Sequence, residues 1–173
     1  MKALPALCFA AALACGMSAC NGNNTTPAAA PDTHDADVKA IGDTEAQWNK
    51  DYEARDLDKI AGHYADDAVL MTPGAPAAKG MAAIRGVMQE MMKDPGLTLK
   101  FHATLTDVSK SGELGYTQGS YVMTMTDPKT HKPMNDHGSY VTTFRKQSDG
   151  SWKAEADIAT SEVPSMPMPA KKM

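Results

Sequence analysis

Val38, Ile41, Glu45, Trp48 and Tyr52 recur at three- and four-residue intervals, which places them on one side of a helix and predicts a buried face that includes the polar Glu45. This helix should end near Arg55. Asp56 is then in position to cap a second helix whose inward positions are Leu57, Ile60, Ala61 and Tyr64, before the polar pair Asp66 and Asp67 stops it. A short strand over Val69 to Thr72 follows, broken by Pro73 and Gly74. After Gly80, the residues Met81, Ile84, Val87, Met88 and Met91 share one face of a third helix, closed by Pro95 and Gly96.

From Leu97 the period changes to two. Leu97, Leu99, Phe101, Ala103 and Leu105 alternate with Thr98, Lys100, His102 and Thr104, the pattern of a strand with one dry face. Three more strands are predicted, over Leu114 to Met125, Ser139 to Lys146 and Trp152 to Thr160, with breaks at Asp127-Pro128 and at the turn pair Asp149-Gly150. Helices followed by a meander define an α+β class.

The flanks read differently. Met1 and Lys2 precede an apolar run from Ala6 to Ala14 and a small-residue stretch ending in Met17-Ser18-Ala19-Cys20, the order of a cleavable secretory signal. The segment resembles the lipobox of bacterial lipoprotein precursors, so residues 1–19 are expected to leave and Cys20 to carry lipid. Acyl chains on Cys20 would hold the domain at the periplasmic face of a bacterial membrane, the outer membrane being favoured because Asn21 supplies no Asp-type retention signal. Residues 20–35, rich in Asn, Thr, Ala and Pro, should form a flexible tether, and residues 164–173 a disordered Pro/Met/Lys tail. One domain, over residues 36–163, is expected between them.

Composition narrows the chemistry. Cys8 and Cys15 leave with the signal and Cys20 is capped, so neither disulfides nor thiol catalysis are available. A net charge of -4 argues against nucleic acid as a partner. The five histidines include no pair at the i, i+4 spacing of a helical metal site, and neither a metal nor another cofactor is expected. Thirteen methionines leave one alternative open, soft cuprous ligation by Met123 and Met125 or by Met166 and Met168, against plain gap filling.

The run from Asp56 to Gly74, DLDKIAGHYADDAVLMTPG, with KGMAAIR from Lys79 to Arg85 and WKAEAD from Trp152 to Asp157, resembles the SnoaL-like branch of the nuclear transport factor two-like superfamily, to which ketosteroid isomerases also belong. The resemblance implies a cone: a curved antiparallel sheet wrapped around a long N-terminal helix with two further helices, and a pocket at the open end. It also implies an isomerase site whose base falls here on Thr72, whose tyrosine falls on Trp48 and whose oxyanion acid falls near Tyr140. A threonine cannot remove a carbon-bound proton unaided, so the isomerase set is incomplete.

The reading that follows is a domain binding a small, largely apolar molecule through Trp48, Tyr52, Tyr64, Thr72 and Tyr140. The alternatives are a ketosteroid isomerase-like or polyketide cyclase-like enzyme using Asp157 or His137 for proton transfer, and a dimeric interaction module whose cone is filled. Homodimers through the outer sheet face are what the resemblance implies. Strict alternation puts Asp157 with Lys153 and Glu155 on the side opposite Trp152, Ala154, Ala156 and Ile158, which favours a solvated carboxylate.

Overall fold

A computed structural model describes residues 33–127 and 130–163. Cys20, most of the tether, Pro128, Met166, Met168 and the tail lie outside the described residues. The described part belongs to one compact unit, Asp32–Met173. It is a mixed α+β fold in the order α1 (His34–Glu53), α2 (Leu57–Gly62), β1 (Tyr64–Met71), β2 (Ala78–Lys79), α3 (Met81–Met91), β3 (Thr98–Val108), β4 (Leu114–Thr126), β5 (Pro133–Lys146) and β6 (Trp152–Ser161).

Helix α1 buries the anticipated stripe, Ile41, Glu45, Trp48 and Tyr52, and extends it with Asp37 and Asp51. It stops where Arg55 adopts a left-handed φ of 56°. That conformation is unusual for a residue with a side chain. Here the Arg55 guanidinium donates to the carbonyl of Met92, the C-cap of α3, and to those of Asp94 and Leu97 in the connection to β3, satisfying acceptors that neither element pairs. Asp56 caps α2 as expected, its carboxylate accepting from the Lys59 amide at 3.1 Å.

Helix α2 ends at Gly62, short of Asp66 and Asp67, and Tyr64 opens strand β1 instead of closing the helix. The two aspartates fit a strand because its pairing with β6 shifts between Tyr64 and Val69, leaving both carboxylates exposed. The two-residue β2 was not anticipated; it pairs with Val69 and Leu70.

The six strands run in the order β2-β1-β6-β5-β4-β3. The expected antiparallel sheet is therefore mixed, since β1 runs parallel to β6. Two single-residue bulges bend the sheet. On β3, Ala103 pairs with Gly119 and Leu105 with Gln118, so Thr104 is extra; on β6, Ala154 pairs with Phe144 and Ala156 with Thr143, so Glu155 is extra. Glycine is required opposite the first bulge, because a Cβ at Gly119 would lie 2.0 Å from the His102 carbonyl oxygen. The inner sheet face packs Phe144, Trp152 and Ala154 with Ile41 and Trp48 of α1, Ile60 of α2 and Ile84 of α3 in one apolar core.

Candidate functional site

Above that core the curved sheet and the helices leave a cavity of about 320 Å³. Helix α1 contributes Trp48 and Tyr52, β1 contributes Tyr64 and Leu70, and the segment after it contributes Thr72 and Pro73. Met88 and Met91 close one side from α3, and Phe101, Tyr121, Met123 and Met125 another from β3 and β4. Asp136, Tyr140 and Thr142 of β5 and Asp157 and Ala159 of β6 complete the wall. The volume is at the lower end of small-molecule pockets. The cone filled by its own side chains, one of the alternatives above, is not what the structure shows.

Trp48 is the centre of the aromatic wall. Its ring meets Tyr64 edge-on at 4.9 Å and Phe101 at 5.7 Å, while Phe101 meets Tyr140 at 5.8 Å. Behind it, His63 stacks at 5.0 Å and 20°. The His63 imidazole is held by Asp51 Oδ2 at 2.7 Å, and Asp51 Oδ1 accepts from the Gln47 amide at 2.8 Å. Burial pushes the pKa of His63 down against the opposing pull of Asp51. Trp48 is therefore braced from outside the cavity by a buried His–Asp pair that the spacing of histidines alone could not reveal.

Three carboxylates are joined to tyrosines around the wall. Asp157 accepts from the Tyr64 hydroxyl at 2.7 Å and from Thr142 at 3.1 Å. Asp136 accepts from Tyr121 at 2.9 Å and from Ser161 at 2.5 Å. Glu45, only 5% exposed, accepts from Thr117 at 2.6 Å and from Tyr140 at 3.1 Å. Desolvation raises the pKa of Asp157 and of Glu45, partly offset by their hydroxyl donors, and the charge of Asp157 adds to the rise at Glu45. The phenols move up as well: burial and Asp136 push Tyr121 to about 12, and Tyr64 and Tyr140 rise further for the same reasons.

Trp48, Tyr52, Tyr64, Thr72 and Tyr140 are thus all brought to one cavity. The alternation argument for Asp157 is corrected by the structure. The bulge at Glu155 shifts the phase of β6, so Trp152 and Ala154 face inward before it and Asp157 and Ala159 after it, while Ile158 turns out, 39% exposed. His137 is corrected in the opposite sense. Strand β5 begins at Pro133, and its even-numbered residues Asp136, Tyr140 and Thr142 face the cavity, leaving His137 exposed on the other face, 4.0 Å from Glu162. Among the described residues, no group of three His, Cys, Asp or Glu side chains converges as a metal site. Met123 and Met125 line the cavity beside Met88 and Met91.

Asp136 was missed because the predicted strand began at Ser139; extended by six residues, the period-two pattern would have included it. Thr142, Tyr121 and Phe101 could have been found by following alternation inward from Tyr140 and Leu99.

A family model described as a SnoaL-like domain matches residues 46–155, more than half of the chain, and the chain belongs to that family. Solved structures agree on the fold. A ketosteroid isomerase-like protein from Erwinia carotovora atroseptica is 21% identical with a TM-score of 0.66, over 74% of this chain and 98% of that one. A nuclear transport factor two-like protein with a cystatin-like fold from Novosphingobium aromaticivorans is 18% identical with a TM-score of 0.62, over 75% and 84%. A conserved protein from Planctomyces limnophilus is 17% identical with a TM-score of 0.64, over 73% and 98%. No curated protein matches the chain. Identities this low carry the fold and not the chemistry, in a superfamily that includes isomerases, dehydratases and cyclases.

Proposed function

We propose that this is an exported, lipid-anchored domain that holds a small, largely apolar molecule in the cavity beside Trp48. The observation that carries the reading is the cavity itself: about 320 Å³, walled by six aromatic rings and four methionines with a few fixed polar groups. Flat rings supply contact area at little entropic cost, and methionines adapt to the ligand edge. Export and anchoring rest on the signal-like start and on Cys20, and among the described residues no helix is long and apolar enough to cross a membrane.

Titration with 1-naphthalenemethanol in a Trp152→Phe background, where Trp48 is the remaining tryptophan, tests the binding reading. Saturable change in Trp48 emission is the expected result. Its absence up to millimolar probe, with the fold intact, would remove the proposal.

A second reading, proton-transfer catalysis, is favoured by Asp157: a carboxylate of raised pKa on the cavity wall, oriented by Tyr64 and Thr142. A group poised this way can exchange a proton with a bound substrate, as in an isomerase or cyclase. Self-association is also supported by one surface. Leu105, Val141 and Ile158 stand on adjoining registers of the outer sheet face, 42%, 38% and 39% exposed, with Gln118 between Leu105 and Val141. Sedimentation of the purified chain distinguishes monomer from dimer.

A further inference from the structure

The polar groups around the cavity are one-sided. Tyr64 and Thr142 donate to Asp157, Tyr121 donates to Asp136, Tyr140 donates to Glu45, and Tyr52 donates to Met88 Sδ at 3.1 Å. A hydroxyl has a single proton, so each of these side chains has already used its donor on the protein and turns only lone pairs toward a ligand. Two other donors remain. Trp48 Nε1 has no partner but is buried, and Thr72 sits beside Pro73 at the edge of the wall. Among the described residues, no Lys, Arg or His lines the cavity, and neither Asp136, Asp157 nor Glu45 has a cationic side chain within ion-pair distance. His102, whose charge acts on Glu45, is exposed on β3.

We propose that the cavity selects a flat, largely apolar amine, its protonated nitrogen set against Asp157. This rests on the small-molecule reading above and names the ligand class for the same site. An ammonium brings donors to a wall of acceptors and a positive charge to carboxylates in a low-dielectric space, where charge-assisted hydrogen bonds are strongest. The six rings add their negative faces to the same preference. A ketone or carboxylate meets the reverse situation, since among the described lining side chains the donors left to its acceptors are the buried Trp48 Nε1 and Thr72 at the edge. The arrangement thus opposes the oxyanion-stabilising site that the isomerase resemblance implied for Trp48 and Tyr140.

The test compares three probes of one ring system, 1-naphthalenemethylamine, 1-naphthalenemethanol and 1-naphthoate, by calorimetry at neutral pH on the full chain carrying Cys20→Ser. The amine should bind about tenfold or more tightly than the alcohol, and the naphthoate weakest, on the order of what one charge-assisted hydrogen bond adds. Asp157→Asn should remove most of the preference for the amine over the alcohol. Asp157→Ser provides the same test should the first variant fold poorly. Alcohol or naphthoate binding as tightly as the amine would overturn this inference while leaving the pocket reading in place. Failure of all three probes to bind a folded chain would overturn the pocket reading and this inference with it.

Discussion

Replacing Asp157 by asparagine reports directly on a carboxylate held in the cavity wall. Desolvation raises its pKa in the folded chain above the ordinary 3.8, so between 3.8 and the raised value the folded state holds more protons than the unfolded state. The sign follows. The stabilisation is complete below the unfolded pKa and is lost as pH rises through the folded one. One proton of difference corresponds to about 1.4 kcal/mol per pH unit, which is the steepest slope Asp157 alone can produce inside that window. Glu45 acts in the same direction and is coupled to Asp157, so its own contribution weakens in the variant. The depressed carboxylates, Asp37, Asp56, Asp94, Asp107 and Asp149, act in the opposite direction, but they are common to both proteins and cancel in the difference. Urea unfolding of the parent and of Asp157→Asn at half-unit steps from pH 4 to pH 8 measures it. The stability of the variant relative to the parent should climb with pH by up to about 1.4 kcal/mol per unit and then level off. A difference that is flat across the range, or that falls, would refute the desolvated placement of Asp157.

Other expectations concern the frame and the anchor. Phe144→Ala empties a fully buried site in the core and should cost about 3–5 kcal/mol in denaturant unfolding. Gly119→Ala sets a Cβ against the His102 carbonyl, so amide exchange along β3 and β4 should accelerate well before the helices are affected. Cys20→Ser should move the protein from the membrane fraction to the soluble fraction of the cell envelope, with its far-ultraviolet circular dichroism unchanged.

The helical stripes of α1 and α3 are readable in the sequence because a period near 3.6 persists over several turns, and even the buried Glu45 follows it. The same logic collects Trp48, Tyr52 and Tyr140, whose cavity positions depend only on helix phase and strand alternation. What fails is anything that depends on a bulge. Glu155 is not distinguished from its neighbours by residue type, yet it reverses the facing of every later residue of β6, including Asp157. Tyr64 shows another limit. It fits the apolar stripe of α2 and also the first inward position of β1, and only pairing with Ala154 of a strand ninety residues away decides between them. The His63–Asp51 brace on Trp48 depends on where α2 turns back along α1, which no local pattern records. Isomerase positions carried over to Thr72 and Trp48 reached the right cavity, but not its hydrogen-bond polarity, which arises from side chains on four different strands and α1.

The central claim is that the space beside Trp48 is kept open for a ligand. Native mass spectrometry of the Cys20→Ser chain purified gently from its own host, alongside the same chain with Ala159→Phe, tests it most directly, because a phenyl group at position 159 projects into the cavity from the sheet wall, beside its cross-strand neighbour Tyr140. A small-molecule adduct on the first protein and its loss from the second is the expected pair of results. An adduct retained equally by both, or a bare polypeptide mass for the open cavity, would contradict the account.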